Sequence, residues 1–549
     1  MHELDSPYAA GVGDGLAAPM ARAKAGLSRF AWLAGVGLLV FGAWISFQYA
    51  RAAWGLDPDV YVPVELWRGV RRFGFGFLAT WRYTQDNWVL SLLPFDALLF
   101  EVLGPRPAVV AGVGWLAFLA SVGLSGVLVA RLCSPRAGLI AAVVLLFANV
   151  SAMGAGGYLG YPISHNVSMA WALGALALAA RSLACERVAP AIAAAACVFV
   201  AAVSDPWAGP AIAIPLSLAA GALAVAHRRR RVARYAAGLC AGSLFAFVAA
   251  KTRLFGLWSF LPETVFSLAD PHEMIVNARW LYVSLAAIFN IVPRADLAQE
   301  PAALIDVAAA LALFALSLGL LAGRVFRLEA EKALILGVAA LSVGALLVLF
   351  LVGRWPGHGV GDGRFFPNAY FFGGVVVASR LAQLWAKARP ARRWLLAAYP
   401  VLLVVSAILS APRLWASPQP LRGMERPLAL AQLLESHGLA YGYGPFWGAE
   451  ALVMGPITDG RVVIRPVSFV LARFVRRNVE SSSLWYRPQA EPGAGRVFLV
   501  VIDDGEECRD LQACMRGAER QFGPPAERLP FQGGAVLVWT HRLIDRIAP

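Results

Sequence analysis

The chain has 549 residues, 59% of them hydrophobic and only 15% charged, with a mean hydropathy of +0.62. That balance excludes a soluble globular domain and fits a multi-pass membrane protein. The formal net charge of +14 would suit a nucleic-acid binder, but the arginines come in short bursts between apolar runs, where they orient helices, so no nucleic-acid partner is expected.

Residues 1–28 read as a flexible cytoplasmic tail without visible chemistry. Apolar segments follow at 30–50, 107–130, 137–152, 166–180, 188–204, 208–227, 235–251, 304–322, 333–353, 367–385 and 394–411, about eleven spans. The stretch 31–49 is long enough to cross a bilayer and no small-residue cleavage site follows it, so it is read as a span rather than a signal peptide. An odd number of spans places the two ends of the chain on opposite sides. Two apolar stretches, 88–103 and 278–292, are short and interrupted by charge, and read as interfacial or re-entrant helices.

Orientation follows from the short loops. Arg131 and Arg136, Arg181 and Arg187, Arg228 to Arg231 with Arg234, Arg324, Arg327 and Lys332, and Lys387 to Arg393 fall in one alternating set, which the positive-inside rule places in the cytoplasm. The expected organisation is thus an α-helical multi-pass domain over 29–411, with a first external loop at 51–106 and an external segment at 252–303. A small extracytoplasmic α/β domain follows over 412–549. The expected location is a bacterial-type cytoplasmic membrane. In the last domain, 428–436 has helical spacing, while 460–467, 496–502 and 535–540 read as strands. Cys508 and Cys514 are the only exported cysteines and are close enough to bond in an oxidising compartment.

The unusual polar groups then share one face. The stretch 56–87 crowds carboxylates, arginines and aromatics beside the bilayer, a composition suited to a site more than to a connector. Its candidates are Asp57, Asp59 and Asp86 as carboxylates and Trp81, Tyr83 and Trp88 as stacking rings. His165 sits at the start of a span, and Asp205 lies in a Ser-Asp-Pro-Trp turn, where it either caps the next helix or serves the site. Glu263, Asp270, His272 and Glu273 are read either as a cation site or as a solvated loop. The glycine-rich loop 353–367 brings Arg354, His358 and Arg364 to the membrane face, a donor set suited to a phosphate. The aromatic clusters 441–447 and 481–486 divide between carbohydrate platform and domain core.

This layout resembles the GT-C superfamily of glycosyltransferases: an odd number of spans, an aspartate-bearing first external loop, interfacial helices, the Arg364-Phe-Phe-Pro367 turn leading into a late span, and an external domain. Asp57-Pro-Asp59 stands where such proteins carry an Asp-Glu dipeptide. The resemblance implies a hexosyl- or pentosyltransferase moving a sugar from a polyprenyl-phosphate carrier to a glycan, lipid or protein acceptor on the outer face. Asp57 or Asp59 would handle the acceptor, and Arg364, backed by Arg354 and His358, the departing phosphate. Asp86 would orient a sugar hydroxyl or help hold a divalent cation. Two other classes fit the spans: a lipid or sugar transporter, expected to show repeats or midplane charges, and a non-catalytic envelope assembly protein.

Overall fold

The computed structural model describes residues 32–51, 57–147, 159–163, 165–252, 260–263, 266–288, 329–355, 358, 360–398, 401, 405, 425–447, 449, 451–491, 495–503 and 508–548. The expected tail 1–28, the span 304–322 and most of the span 394–411 lie outside these residues.

The membrane part is built from α1 (Trp32–Arg51), α2 (Val62–Phe73), α3 (Leu93–Leu103), α4 (Pro107–Leu132), α5 (Pro135–Phe147), α6 (His165–Cys185), α7 (Val188–Ser204), α8 (Ile214–Ala226), α9 (Arg230–Lys251), α10 (Pro271–Ile288), α11 (Ala330–Val352) and α12 (Pro367–Lys387). Among the described residues six helices are long and apolar enough to cross a membrane: α1, α4, α6, α8 with its π-helical lead-in from Gly209, α9 and α11. The apolar helices α5 and α7 are shorter. Proline opens α4, α5 and α12, where its missing N–H costs nothing and its fixed φ suits the first turn. The helices α4 and α5 meet through glycine, since a Cβ on Gly138 would stand 2.4 Å from the Gly126 carbonyl oxygen.

The interfacial pair differs in kind. Glycines in the left-handed region end both helices, Gly74 after α2 (φ 75°) and Gly104 after α3 (φ 76°), a conformation that costs other residues dearly. Phe95, Leu98, Val102 and Leu103 of α3 remain exposed, and Trp67 of α2 donates to the Glu101 carboxylate at 2.8 Å. The second stretch expected at the interface begins earlier than anticipated: α10 starts at Pro271 because Asp270 and Glu273 form a reciprocal cap. The Asp270 amide reaches Glu273 Oε2 at 2.9 Å, and the Glu273 amide reaches Asp270 Oδ1 at 2.8 Å.

The C-terminal part holds α13 (Glu425–Ser436), α14 (Ala451–Ile457) and α15 (Leu511–Phe522) with a six-stranded sheet. In chain order the strands of the molecule are β1 (Trp81–Arg82), β2 (Tyr441–Gly444), β3 (Val463–Val470), β4 (Arg473–Arg476), β5 (Ser481–Ser482), β6 (Val497–Ile502), β7 (Glu527–Phe531) and β8 (Gly534–Trp539). The sheet runs β4-β3-β2-β6-β8-β7, with β3, β2 and β6 parallel and the outer strands antiparallel. The continuous apolar run of β6 is buried at every position, as a central strand requires. Cys508 and Cys514 are disulfide-bonded beside it. Tyr443, Phe446, Trp485 and Tyr486 are buried, so these members of the two aromatic clusters serve the core.

One antiparallel ribbon joins the two parts. Trp81 and Arg82 of β1 pair with Ser482 and Ser481 of β5, and the hydroxyls of Thr80 and Ser482 lie 2.9 Å apart. Glu65 of α2 is held by Arg68 on its own helix and by Arg465 of β3, each at 3.2 Å. The external loop and the C-terminal domain are therefore one packed body, with the Trp81 ring edge-on to Trp485 at 5.1 Å.

Candidate active site

The first external loop is pinned to the end of α7. The amides of Asn87 and Trp88 donate to the Ser204 carbonyl (2.8 and 3.3 Å), and those of Leu90 and Ser91 reach the Ser204 hydroxyl (3.2 and 3.0 Å). The Asn87 side chain donates to the Val203 carbonyl at 3.0 Å. Trp88 is held at φ 53°, a left-handed conformation that a bulky residue adopts at a cost of roughly 1–3 kcal/mol. The loop is thereby fixed with Asp86 over the turn between α7 and α8.

That turn carries a buried pair. His165 Nδ1 lies 2.8 Å from Asp205 Oδ2, which also accepts from the Ser168 hydroxyl at 2.7 Å. Asp205 Oδ1 accepts from the Trp207 amide at 2.9 Å, so Asp205 shapes the turn into the next helix while its other oxygen anchors the histidine. Burial pushes its pKa up, but the opposing charge and hydrogen bond of His165, with those of Ser168 and Trp207, prevail and the net direction is down. The His165 ring is layered between Trp207 and Phe365, at 5.5 and 5.0 Å between centroids. Trp207 Nε1 in turn donates to the Phe365 carbonyl at 2.8 Å, which fixes the turn that bears Arg364.

Asp57 and Asp59 sit on the one-turn helix that leads into α2. The Tyr161 hydroxyl donates to Asp57 Oδ1 at 3.1 Å and lies 3.4 Å from Asp59 Oδ2, while the Asp59 amide caps onto Asp57 Oδ1 at 3.0 Å. Burial is the main reason that Asp57 is pushed up to about 6; the Tyr161 and Asp59 hydrogen bonds restrain it, and the charge of Glu480 adds to it. Asp59 is raised well above the usual carboxylate range by burial, then by Glu480 and Asp57, with Arg364 opposing. Asp86 is pushed up to about 6 by burial, lowered by His165, raised by Asp205 and lowered by Arg364. The charge of Arg364 lowers both Asp59 and Asp86.

Glu480 is the member the sequence did not reveal. It comes from the segment that leads into β5, is buried, stands at φ 50°, and donates its amide to the Arg82 carbonyl at 2.7 Å. Arg477 holds its carboxylate at 3.1 Å. No motif around it in sequence marks it, because its neighbours in space lie about four hundred residues away.

Other expected residues are placed differently. Arg354 is paired with Glu273 at 3.1 Å. Both ring nitrogens of His358 are engaged, Nδ1 with Asp362 at 2.9 Å and Nε2 with Asn277 Oδ1 at 2.8 Å, and Trp280 stacks on the ring. These two residues brace the loop before α12 against α10, and Arg364 is exposed and lies over the Phe365 ring. Trp81, Tyr83 and Trp88 are buried, with Trp81 in the domain seam. Among the described residues no group of three or more His, Cys, Asp or Glu side chains is placed to hold a metal ion, and the expected cation sets at Asp86 and at Glu263 to Glu273 find no such arrangement.

The Asp59 carboxyl is hydrogen-bonded to that of Glu480, while three buried polar atoms, Tyr83 Oη, Trp88 Nε1 and His165 Nε2, have no hydrogen-bond partner among the described residues. A buried polar group left unmet costs about 1–3 kcal/mol. Beside Asn87 and Pro206 a cavity of about 550 Å³ opens, lined also by Gln85, Lys251 and Glu263. A cavity of this size is of the order that takes a small polar ligand.

No protein-family model matches the chain, and no curated protein matches it. Its fold is similar to solved structures of the oligosaccharyltransferase of Archaeoglobus fulgidus. The apo form matches with a TM-score of 0.45 at 12% identity, over 88% of this chain and 68% of that one. The archaeal oligosaccharyltransferase AglB from the same organism, in complex with an inhibitory peptide and a dolichol-phosphate, matches at 0.49 and 12%, over 89% and 69%. The complex with Zn and sulfate matches at 0.47 and 13%, over 93% and 76%. The functional reading rests on the side chains of the centre.

Proposed function

We propose that the protein is a membrane glycosyltransferase that moves a sugar from a polyprenyl-phosphate donor to an acceptor on the outer face of a cytoplasmic membrane. The observation that carries this reading is a set of half-buried carboxylates at one end of a helix bundle, Asp57 and Asp59 joined through the Tyr161 hydroxyl and Asp86 beside His165 and Asp205, all raised in pKa, with the exposed Arg364 acting on Asp59 and Asp86. A carboxylate whose pKa is raised toward neutrality is suited to accept a proton from an alcohol as that alcohol attacks.

In this reading the acceptor hydroxyl gives its proton to Asp57 or Asp59 as its oxygen bonds to the anomeric carbon. The bond from that carbon to the phosphate oxygen breaks, and the electron pair leaves with the phosphate. Arg364 stabilises the growing charge through its planar fork of donors. Asp86, facing His165 and Asp205, orients sugar hydroxyls. The decisive experiment presents the purified protein with a panel of labelled polyprenyl-phosphate sugars. Transfer from at least one donor is expected, falling by about a hundredfold or more in Asp57→Asn or Asp59→Asn while donor binding persists. Unchanged transfer by both folded variants would remove the catalytic assignment and bring a transporter or assembly role forward.

A further inference from the structure

A groove of about 920 Å³ runs between α7 and α9, far from the polar centre. Ala191, Ala195 and Phe199 line one wall, and Gly238, Gly242 and Phe245 the other. Ile192 and Phe245 are exposed beside it, so the groove opens on the outside of the bundle, where lipid would lie. Gly238 keeps it open: a Cβ there would have no atom within 4 Å, so the missing side chain is not required by packing. From Arg231 to Ala249 the lining follows α9 for about 27 Å at 1.5 Å per residue, close to the thickness of a hydrocarbon core.

One end of the groove is cationic. Arg231 and Arg234 stand at its mouth. The helix α9 begins there with no side-chain cap and no acidic residue in its first turn, so its free N–H groups add positive potential. Glu186, 3.4 Å from Arg231, is the acidic side chain that meets this pair, and Arg234 takes part in no ion pair among the described residues. A long apolar slot ending in two guanidiniums and an open helix N-terminus matches one kind of molecule, an acyl chain that ends in a phosphate.

The glycosyl donor is the wrong candidate. Its phosphate belongs with Arg364 at the opposite end of the bundle, beside the C-terminal end of α7, whereas this cationic mouth lies at the N-terminal ends of α7 and α9. We infer that the groove between α7 and α9 is a binding site for an anionic glycerophospholipid, its phosphate on Arg231 and Arg234 and one acyl chain lying along Gly238 and Gly242. The exclusion of the glycosyl donor rests on the proposed role of Arg364, while the groove and its two arginines stand apart from that centre.

The test uses the full chain purified in detergent and native mass spectrometry with two probes of identical acyl chains, phosphatidylglycerol and phosphatidylcholine. Phosphatidylglycerol should be retained about tenfold or more over phosphatidylcholine, the scale expected of two basic residues at a lipid surface. The double variant R231Q/R234Q should lose that preference, and G238L, which fills the slot without touching the charges, should lose phosphatidylglycerol as well. All these side chains face outward, so unfolding is checked simply by thermal melting. Equal retention of the two lipids, a preference that survives R231Q/R234Q, or undiminished binding by G238L would each overturn the site and reduce the lipid to an annular contact.

Discussion

Asp57 illustrates how a single buried carboxylate couples stability to chemistry. Its proton is held more tightly in the folded chain than in the unfolded one, pushed from 3.8 to about 6. Such a group contributes stability fully below its unfolded value and loses that contribution as pH rises through about 6, so at neutral pH it is a burden of at most about 3 kcal/mol. Asp57→Asn keeps an acceptor for Tyr161 and for the Asp59 amide, and it should melt higher than the parent at pH 7.5, with the gap narrowing below pH 6. A variant that melts at or below the parent at pH 7.5 would show that the carboxylate is not under strain. The same ionisation governs the reaction: transfer should fall as pH drops through about 6, and a flat profile between pH 5 and 7.5 would exclude Asp57 as the proton acceptor. Asp57, Asp59 and Arg364 stand out in the sequence as candidates because charge beside a bilayer is expensive and has few uses. Arg354 and His358 carried the same signal, yet Arg354 is paired with Glu273 and the His358 ring is hydrogen-bonded to Asp362 and Asn277, contacts that spacing does not reveal.

At the level of elements, the β1–β5 ribbon decides which carboxylates meet. Glu480 and Trp88 both stand at positive φ, and both sit where the loop is tied down, one at the ribbon and one at Ser204. Strain of this kind persists where surrounding structure imposes it. Because the charge of Glu480 raises both Asp57 and Asp59, Glu480→Gln should shift the acid limb of the pH–rate profile to lower pH while leaving donor binding in place. A limb that stays where it was, with transfer intact, would mean that Glu480 only braces the ribbon. A parallel case is Arg364: Arg364→Ala should weaken donor binding and slow transfer together, and Arg364→Lys should restore only part of both, because a point charge lacks the bidentate fork. Full rescue by lysine would point to a simple interfacial anchor. The helices were readable from apolar length and the central strand β6 from its unbroken Val, Leu and Phe run, whereas the ribbon is two residues on each side and has no periodicity to detect.

For the whole molecule, the polar centre and the basic residues occupy opposite ends of the bundle. His165, Asp205 and Lys251 close one end, while Arg131 with its partner Glu331 at 2.6 Å, Glu186 with Arg231, and the start of α9 close the other. By the positive-inside rule that basic end is expected in the cytoplasm. A periplasmic phosphatase fused after Arg413 should therefore be active and one fused after Arg234 inactive; the reverse pattern would turn the polar centre toward the cytoplasm and sink the proposed reaction. Expected spans described by the structure coincide with helices, and the interfacial assignment of 88–103 finds α3 with an exposed apolar face. The docking of the C-terminal domain was not readable, since Glu65 and Arg465 look like ordinary surface charges until the fold brings them within 3.2 Å.

The ribbon also imposes a schedule. Thr80 must wait for Ser482, 402 residues later, and Arg82 for Glu480, before the loop that bears Asp57 and Asp59 acquires its third carboxylate. At ordinary synthesis rates of about 5–20 residues per second, that interval is on the order of 20–80 seconds. During it, the early helices are already inserted while the loop lacks its partner strand. The contacts around Glu480 are thus completed only once nearly all of the described helices and the greater part of the last domain have been made.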